Sequence, residues 1–307
     1  MPEPVTKKIA LKVDVDTFRG TREGVPALLA LFKKYNISAT FLFSLGPDHT
    51  GWALRRIFRP GFFQKVQRTS VLSHYGLKTL MYGVLLPGPH IAKRAGNILR
   101  SAREQGHEVG IHCYDHVYWQ DNVAQRDASW TEREMNKAKQ AFVDAFGVAP
   151  ETHGAAGWQI NAHTIAMEEQ MGLRYASDCR GLKPFLPSMD GIHSNCVQIP
   201  STLPTLDELI GLDNITEENV DETLAKVMHD AEADHQVEFH VYTLHAELEG
   251  MKLLPVMERL IQRWQREGYV LTTLKDIYQH LDINCLPRKN IEWKPLAGRS
   301  GLLASEA

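Results

Sequence analysis

The chain has 307 residues, of which 43% are hydrophobic and 23% are charged, and its formal net charge is −3. This is ordinary globular usage, and the length suits a single α/β barrel. A slightly acidic chain argues against a general nucleic-acid binder, because a surface that follows phosphates usually leaves its domain basic.

The cysteines and the N-terminal residues indicate the kind of cellular compartment in which the protein works. The four cysteines form no C-x-x-C pair and have no regular spacing, which argues against a zinc knuckle or a disulfide framework and favours a reducing compartment. Too few apolar residues precede Asp14 for a signal peptide, and no stretch of about 18 apolar residues occurs. We expect neither a signal peptide nor a transmembrane helix.

Strand-like and helix-like segments alternate along the chain. The strand-like segments are residues 8–16, 38–44, 107–112, 149–155, 173–178, 196–201, 237–245 and 269–274. Helical spacing of apolar residues covers 25–36, 131–147, 218–233 and 253–268, and Gly147 and Gly268 stand at expected helix ends. The alternation predicts an α/β fold with a parallel sheet, in the form of a complete or distorted TIM-like (β/α) barrel. The alternative is an open doubly wound sheet, although no phosphate-binding glycine motif follows any strand.

Aspartate and histidine gather where the predicted strands end. In a parallel barrel these ends share one rim, where catalytic residues lie. The residues concerned are Asp14 and Asp16 after the first strand, His112 and His116 after the third, His153 in the fourth, Asp178 after the fifth and His245 after the seventh.

The spacing of these residues favours a metal site. Side chains alternate along a strand, so Asp14 and Asp16 face the same side. His112 and His116 would share a face if the loop between them turned helical. Two imidazoles and one carboxylate form a facial site with open positions for water and substrate.

Each of these features also has a purely structural interpretation. H-x-x-x-H pairs occur by chance, and D-x-D at a strand end is often a turn or a helix N-cap, with Thr17 as another capping candidate. His153 and His245 are also compatible with hydrogen-bonded core histidines. The common rim of one barrel is what favours the metal interpretation.

The order Asp-x-Asp, then H-x-x-x-H, then a late Leu-His resembles the polysaccharide deacetylase, or NodB-homology, superfamily of metal-dependent amide hydrolases. The resemblance covers roughly residues 7–280 and implies a distorted (β/α) barrel. It also implies one divalent metal, zinc, manganese or cobalt, held by Asp16, His112 and His116. In the same way it implies Asp14 as the general base and His245 as the general acid.

Four stretches resemble one kind of member more closely: KVDVDTFRGTREGVP, HEVGIHCYDHVYWQD, THGAAGWQ and YTLHAELEG. That resemblance implies a substrate linked to undecaprenyl phosphate, a 4-formamido sugar that is deformylated to formate and a 4-amino sugar. It further implies a role in lipid A modification and resistance to polymyxin-type peptides. An activated water and protonation of the leaving nitrogen would be required, since a formamide is a poor electrophile.

Three departures from the family pattern stand out. Val15 separates two aspartates that are usually adjacent, which leaves open which carboxylate binds metal. The arginine of the family's Arg-x-Pro motif is missing, because the chain has His153-Gly154-Ala155-Ala156-Gly157 there. Asp178 or Arg180 is a candidate for the lost orienting role. The late motif reads Thr243-Leu244-His245 instead of Leu-x-His.

A segment between the second and third strands, residues 46–103, is predicted to be an insertion at the catalytic rim. Residues 49–103 contain ten Lys and Arg and no Asp or Glu, interleaved with bulky apolar residues. This composition is typical of a segment that lies on an anionic membrane. The residues expected at the lipid are Trp52, Arg55, Arg56, Arg59, Phe62 and Phe63. A lid packed on the barrel and an oligomer interface are the alternatives.

The predicted organisation is thus one catalytic barrel over residues 1–286 and a mobile tail over 287–307. We expect a peripheral protein on the cytoplasmic face of the bacterial inner membrane, with no nucleic acid and no obligate protein partner. The alternatives are a deacetylase of another N-acyl sugar, and a lipid- or glycan-binding barrel without catalysis, which the missing arginine keeps open.

Overall fold

A computed structural model of the chain describes residues 7–58, 77–234 and 237–307, with only the backbone given for residues 55–58 and 77. Its strands are β1 (Lys8–Val15), β2 (Thr40–Ser44), β3 (Glu108–Cys113), β4 (Thr152–His153), β5 (Tyr175–Ala176), β6 (Leu186–Met189), β7 (Ile192–His193), β8 (Val197–Gln198), β9 (His240–His245), β10 (Val270–Thr272), β11 (Arg288–Pro295) and β12 (Leu302–Glu306).

The helices follow the strands in alternation through most of the chain. They are α1 (Val25–Tyr35), α2 (Leu77–Met81), α3 (Ile91–Glu104), α4 (His116–Asn122), α5 (Ala128–Phe146), α6 (Ala162–Gln170), α7 (Leu206–Leu209), α8 (Val220–Ala233), α9 (Leu254–Arg266) and α10 (Leu274–Gln279). A π-helical turn spans Gly20–Gly24, and 3-10 turns span Thr50–Phe58, Val123–Gln125, Ala156–Trp158 and Ile283–Cys285.

The main sheet is parallel and curls on itself. Its order is β9-β1-β2-β3-β4-β5-β8, and β10 pairs with the first residues of β1. Beyond β8, the backbone N–H groups of Thr202 and Leu203 donate to the carbonyl of Val241 in β9, which brings the two ends of the sheet together. The prediction of an α/β distorted barrel is therefore confirmed.

Strand β1 pairs with both β2 and β9, and its two faces lie in different environments. Ile9, Leu11, Val13 and Val15 are fully buried in the main apolar core, together with residues of α1 and α9. By the alternation of a strand, Lys12 and Asp14 lie on the opposite face, inside the curled sheet. Polar residues in the interior of a barrel are typical of a functional site near a strand end.

The segment between β2 and β3 divides into a barrel helix and a shorter irregular part. Helix α3 buries Ile91, Leu99 and Ala102 against the core, so residues 91–103 are an ordinary crossover helix and not part of an insertion. The amphipathic spacing of these apolar residues explains the packing. What remains of the predicted insertion, 46–90, includes residues 59–76, which lie outside the described residues.

The C-terminal residues form a second sheet, so the expectation of a mobile tail is wrong for them. Its order is β12-β11-β6-β7, with β11 parallel to β6 and antiparallel to β12. The backbone N–H of Arg180 donates to Ala304, and the N–H of Glu306 donates to Arg180. These two strands bury few apolar residues, Ile291 in β11 and Leu303 and Ala304 in β12, so the sequence there has no regular apolar pattern that would predict a strand.

Within residues 7–58, 77–234 and 237–307, no helix combines the length and the apolar composition needed to cross a membrane.

Candidate metal centre and active site

Three predicted ligands converge at the carboxyl end of the sheet. His112 Nε2 lies 3.3 Å and His116 Nε2 lies 3.4 Å from Asp16 Oδ1. One ligand atom from each residue falls within 4.8 Å of the others. Asp16 and His112 are buried and His116 is partly exposed, so the group opens to solvent on one side.

The three residues come from different elements. Asp16 follows β1, His112 lies in β3, and His116 is the first residue of α4. The spacing would have placed both histidines on one helix face if the loop had been helical, but His112 lies in a strand. Their rings nevertheless stack, with centroids 5.3 Å apart. Asp115 caps α4 by accepting from the N–H of Tyr118, which fixes where the helix begins and so where His116 points.

The donor set fits a divalent cation. His112 Nδ1 lies 2.6 Å from the carbonyl of Gly154 and donates to it, which leaves the lone pair of Nε2 directed at Asp16. Among the described residues, no donor satisfies Asp16 Oδ1 or Asp14 Oδ1, although both atoms are buried. Two acceptors facing each other in a buried site require a cation or a proton between them.

Burial alone would raise the pKa of Asp16. When protons, in place of a cation, lie between the imidazoles and this carboxylate, the charges of His116 and His112 outweigh that effect, so the pKa of Asp16 lies well below its usual range. Asp16 is therefore ionised at neutral pH, as a metal ligand must be.

Asp14 and His245 are direct neighbours across the sheet. They are paired in the parallel register of β1 and β9, and the N–H of Ala246 donates to the Asp14 carbonyl. Asp14 is buried, and His245 is partly buried with Nδ1 lacking a hydrogen-bond partner among the described residues. The predicted base and acid thus stand side by side at the rim that carries the metal ligands.

His245 lies among carboxylates. Burial favours its neutral imidazole, but the charges of Asp207, Asp16 and Glu249 outweigh burial and raise its pKa above the ordinary 6.5. A raised pKa keeps the imidazole protonated near neutral pH, which suits a general acid.

Two buried carboxyl groups after His245 were missed by the sequence analysis. Glu247 accepts from the N–H groups of Asp16 and Thr17, and burial followed by the charge of Asp16 raises its pKa to about 8. Glu249 accepts from the N–H of His245, and burial raises its pKa to about 7. The acidic repeat in HAELEG was the available signal, since carboxylates after a strand end can return to bind backbone N–H groups.

The group beside Asp14 is Lys12, which the sequence analysis did not single out. Lys12 Nζ lies 3.6 Å from Asp14 Oδ2. Arg180 instead pairs with Glu208 and donates to the Leu203 carbonyl. Asp178 accepts from the N–H of Ala155.

His153 forms a second buried group with Asp178 and Glu168. Its Nδ1 lies 2.8 Å from Glu168 and 2.9 Å from Asp178, and Gln198 donates to Asp178. Burial opposes ionisation of His153, but the carboxylates outweigh it and raise its pKa to about 10, while the pKa of Asp178 falls to about 2. We interpret this hydrogen-bonded ion pair as structural, because it fixes the loop whose Gly154 carbonyl orients His112.

The residues predicted at the lipid are only partly described. The Trp52 indole N–H donates to the Gly83 carbonyl and its ring stacks on His49, with centroids 4.0 Å apart. Trp52 therefore packs within the segment. Arg55 and Arg56 lie in the 3-10 turn Thr50–Phe58, without described side chains. Arg59, Phe62 and Phe63 lie outside the described residues.

The sequence also matches a known protein family. Residues 2–176 match the family model described as "Polysaccharide deacetylase". The curled parallel sheet and this match define the class: the chain belongs to the polysaccharide deacetylase family, and the predicted resemblance is confirmed.

Two relatives carry the same specific name, "Probable 4-deoxy-4-formamido-L-arabinose-phosphoundecaprenol deformylase ArnD". The protein of Shewanella sediminis (strain HAW-EB3) is 36% identical over 307 residues, which is 100% of this chain and 97% of that protein. The protein of Wigglesworthia glossinidia brevipalpis is 32% identical over 286 residues, 93% of this chain and 97% of that protein. This chain is similar to both along nearly its whole length.

Solved structures agree on the fold. A Mycobacterium smegmatis protein described as a polysaccharide deacetylase is similar with a TM-score of 0.65 at 18% identity, covering 96% of this chain and 97% of that one. Puue allantoinase is similar with a TM-score of 0.63 at 16% identity, covering 91% of both chains. At these identities the likeness concerns the fold alone.

Proposed function

We propose that the protein is a metal-dependent hydrolase that removes the formyl group from 4-deoxy-4-formamido-L-arabinose linked to undecaprenyl phosphate. The products are formate and the 4-amino-4-deoxy sugar, and the reaction serves lipid A modification and resistance to polymyxin-type peptides. The observation that carries this proposal is the convergence of Asp16, His112 and His116 beside the Asp14–His245 pair. Full-length similarity to the two named deformylases supports the choice of substrate.

The ligands for one divalent cation are Asp16, His112 and His116. Such a cation would supply Lewis acidity, which polarises the formyl carbonyl and makes water more acidic. Two imidazoles and a carboxylate accept zinc, manganese or cobalt with modest discrimination. Burial of Asp16 and the donation from His112 to Gly154 hold the ligands in place before the cation arrives.

Two neighbouring side chains move the protons. Asp14 accepts a proton from the attacking water, and its unsatisfied Oδ1 is available for that contact. His245 donates a proton to the departing nitrogen, in keeping with its raised pKa. Register pairing between β1 and β9 sets the distance between these two groups, so the backbone of the barrel defines where the amide must lie.

The lipid-linked substrate is met at an anionic membrane surface, with the protein peripheral on the cytoplasmic face of the inner membrane. Two observations support this location. Residues 49–90, outside the crossover helix, contain six Lys and Arg and no Asp or Glu. In the same segment, Val84 and Leu85 are 55% and 75% exposed. Exposed aliphatic residues in a segment that is rich in cations are suited to an interface of acyl chains and anionic headgroups.

Formate release from the undecaprenyl-phosphate formamido-arabinose tests this function. Wild type is compared with Asp14→Asn and His245→Gln, with and without chelator, and with zinc, manganese or cobalt restored. We expect metal-dependent release that falls about 100-fold to 10,000-fold in either variant. Lys226→Gln, on the remote helix α8, is the matched control and is expected to keep wild-type activity.

Folded wild-type protein that releases no formate with any of the three metals would contradict the proposal. Lipid binding without turnover would then indicate a non-catalytic barrel. Release of acetate from an N-acetyl sugar, without formate release, would indicate a deacetylase of another substrate.

A further inference from the structure

We propose that Lys12 is the positioning residue for Asp14, in place of the arginine that the family's Arg-x-Pro motif would supply. This inference rests on the proposed function, because it assigns Lys12 a role in that same reaction. Lys12 is fully buried in the interior of the curled sheet, two residues before Asp14 on the same strand face.

The contacts of Lys12 account for its burial. Its Nζ lies 3.6 Å from Asp14 Oδ2 and donates to the Ser177 carbonyl at 2.8 Å. It also lies 5.3 Å from the centre of the Trp158 ring. An ammonium group without exposure is tolerated only with a counter-charge and satisfied donors. Among the described residues, Asp14 has the carboxylate that lies within ion-pair distance of Lys12.

The two carboxylate oxygens of Asp14 have different surroundings. Oδ2 faces the ammonium group, whereas Oδ1 has no hydrogen-bond donor among the described residues. The carboxylate is therefore held by one oxygen and offers the other to the site. That arrangement is what a general base requires, since a freely rotating carboxylate would satisfy itself elsewhere.

Gly154 leaves room for the lysine. A Cβ at position 154 would lie 2.3 Å from Leu42 Cδ1 and 3.2 Å from Lys12 Cε. The absence of a side chain at position 154 thus leaves the space that Leu42 and, more loosely, the chain of Lys12 occupy, in the stretch His153-Gly154-Ala155 that stands where the family has its Arg-x-Pro motif. The same glycine gives its carbonyl to His112, so one loop serves both the base and a ligand.

The test measures kcat, KM, metal content and the urea midpoint for Lys12→Met and Lys12→Arg. Lys12→Met removes the charge at similar length, and we expect kcat to fall about 100-fold with KM and metal content nearly unchanged. Lys12→Arg restores the cation and is expected to recover at least about a tenth of wild-type kcat. Lys8→Met, on the same strand face in an ion pair with Asp276, is the control and should leave kcat unchanged.

If Lys12→Met folds poorly, its effect on the urea midpoint is compared in the Asp14 and Asp14→Asn backgrounds. Lys12→Met should lower the urea midpoint in the Asp14 background, because it leaves a buried charge unpaired, but not in the Asp14→Asn background. Equal destabilisation in both backgrounds would overturn the inference, as would wild-type kcat in Lys12→Met or equal losses in Lys12→Met and Lys12→Arg. An inactive wild type would instead refute the proposed function, so the two failures are distinguishable.

Discussion

At the rim of the barrel, the atoms of the three candidate ligands that face one another are hydrogen-bond acceptors. His112 Nε2 and His116 Nε2 both approach Asp16 Oδ1, and the hydrogen bond from His112 Nδ1 to Gly154 decides which ring nitrogen carries the lone pair. The Gly154 carbonyl thus orients the His112 ring, which lowers the cost of ordering the site when a cation binds.

Replacement of His112 or His116 by Ala should weaken metal binding by more than the roughly 10–100-fold that loss of an outer partner costs. The measurement is metal content after dialysis, together with the rise in melting temperature on adding zinc or manganese. His229→Ala, on an exposed part of α8, should bind metal as wild type does. Wild-type metal content in both ligand variants would refute the site.

At the scale of elements, buried polar groups tie neighbouring strands together. His107 precedes β3, and its Nδ1 accepts from the N–H of Ala39 just before β2. Its ring lies against Phe32 and Phe41, and burial lowers the pKa of His107 to about 4. The folded state therefore binds this proton less readily than the unfolded chain does.

The depressed pKa of His107 predicts a loss of stability in acid. Its contribution is complete above the unfolded pKa of about 6.5 and is lost as pH falls towards about 4. Between pH 7.5 and 4.5, the unfolding free energy should fall by about 2–3 kcal/mol more in wild type than in His107→Gln. Urea titrations at both pH values measure the difference. His280→Gln removes an exposed histidine and should keep the wild-type dependence, and equal slopes in all three proteins would contradict the prediction.

The loop between β11 and β12 places the largely buried guanidinium group of Arg299 beside two carboxylates. Arg299, between β11 and β12, pairs with Glu208 at 2.8 Å and with Asp207 at 3.3 Å. Its guanidinium lies 4.9 Å from the centre of the Trp158 ring. Among the neighbouring charges, that of Asp207 raises the pKa of His245 most. Because Arg299 pairs with Asp207, the C-terminal residues border the active site.

Arg299→Met should lower the unfolding free energy by about 1–3 kcal/mol, because charged hydrogen bonds to largely buried carboxylates are lost. Urea denaturation measures this change, with Arg266→Met at an exposed position of α9 as the matched control. A midpoint equal to that of the control would show that the C-terminal residues contribute no such anchoring.

At the scale of the whole molecule, the apolar and basic segment after β2 lies at the carboxyl end of the sheet. Asp48 in this segment accepts from the N–H of Phe18, and His49 pairs with Asp115, which caps the helix of His116. The segment is therefore joined to the site through Asp48 and His49, and it exposes Val84 and Leu85.

A Val84→Asp/Leu85→Asp variant should bind phosphatidylglycerol vesicles more weakly than wild type, because charge opposes insertion among acyl chains. Charge reversal at Arg55, Arg56 and Arg59 should have the same effect through lost attraction to headgroups. Vesicle co-sedimentation measures both. Leu182→Asp is the control at an exposed apolar position, and unchanged binding in both variants would favour the lid interpretation.

The strongly patterned parts of the chain were predictable because local periodicity reflects burial. Strand β1 and helices α1, α5, α8 and α9 lie within a few residues of their predicted bounds, since each presents a clear apolar face. Asp-x-Asp and H-x-x-x-H identified the candidate ligands because barrel topology places strand ends at one rim.

The tertiary structure alone decided which groups meet. The two-residue spacing places Lys12 and Asp14 on one strand face, but only the tertiary structure shows that the Lys12 ammonium group is fully buried there and donates to the Ser177 carbonyl. The pairing of Arg299 with Glu208 joins residues 91 positions apart, and no local pattern encodes such a contact. Sequence periodicity thus determined the elements and their apolar faces, whereas the surroundings of each buried charge depended on long-range packing, because ion pairs form between whichever residues the fold brings together.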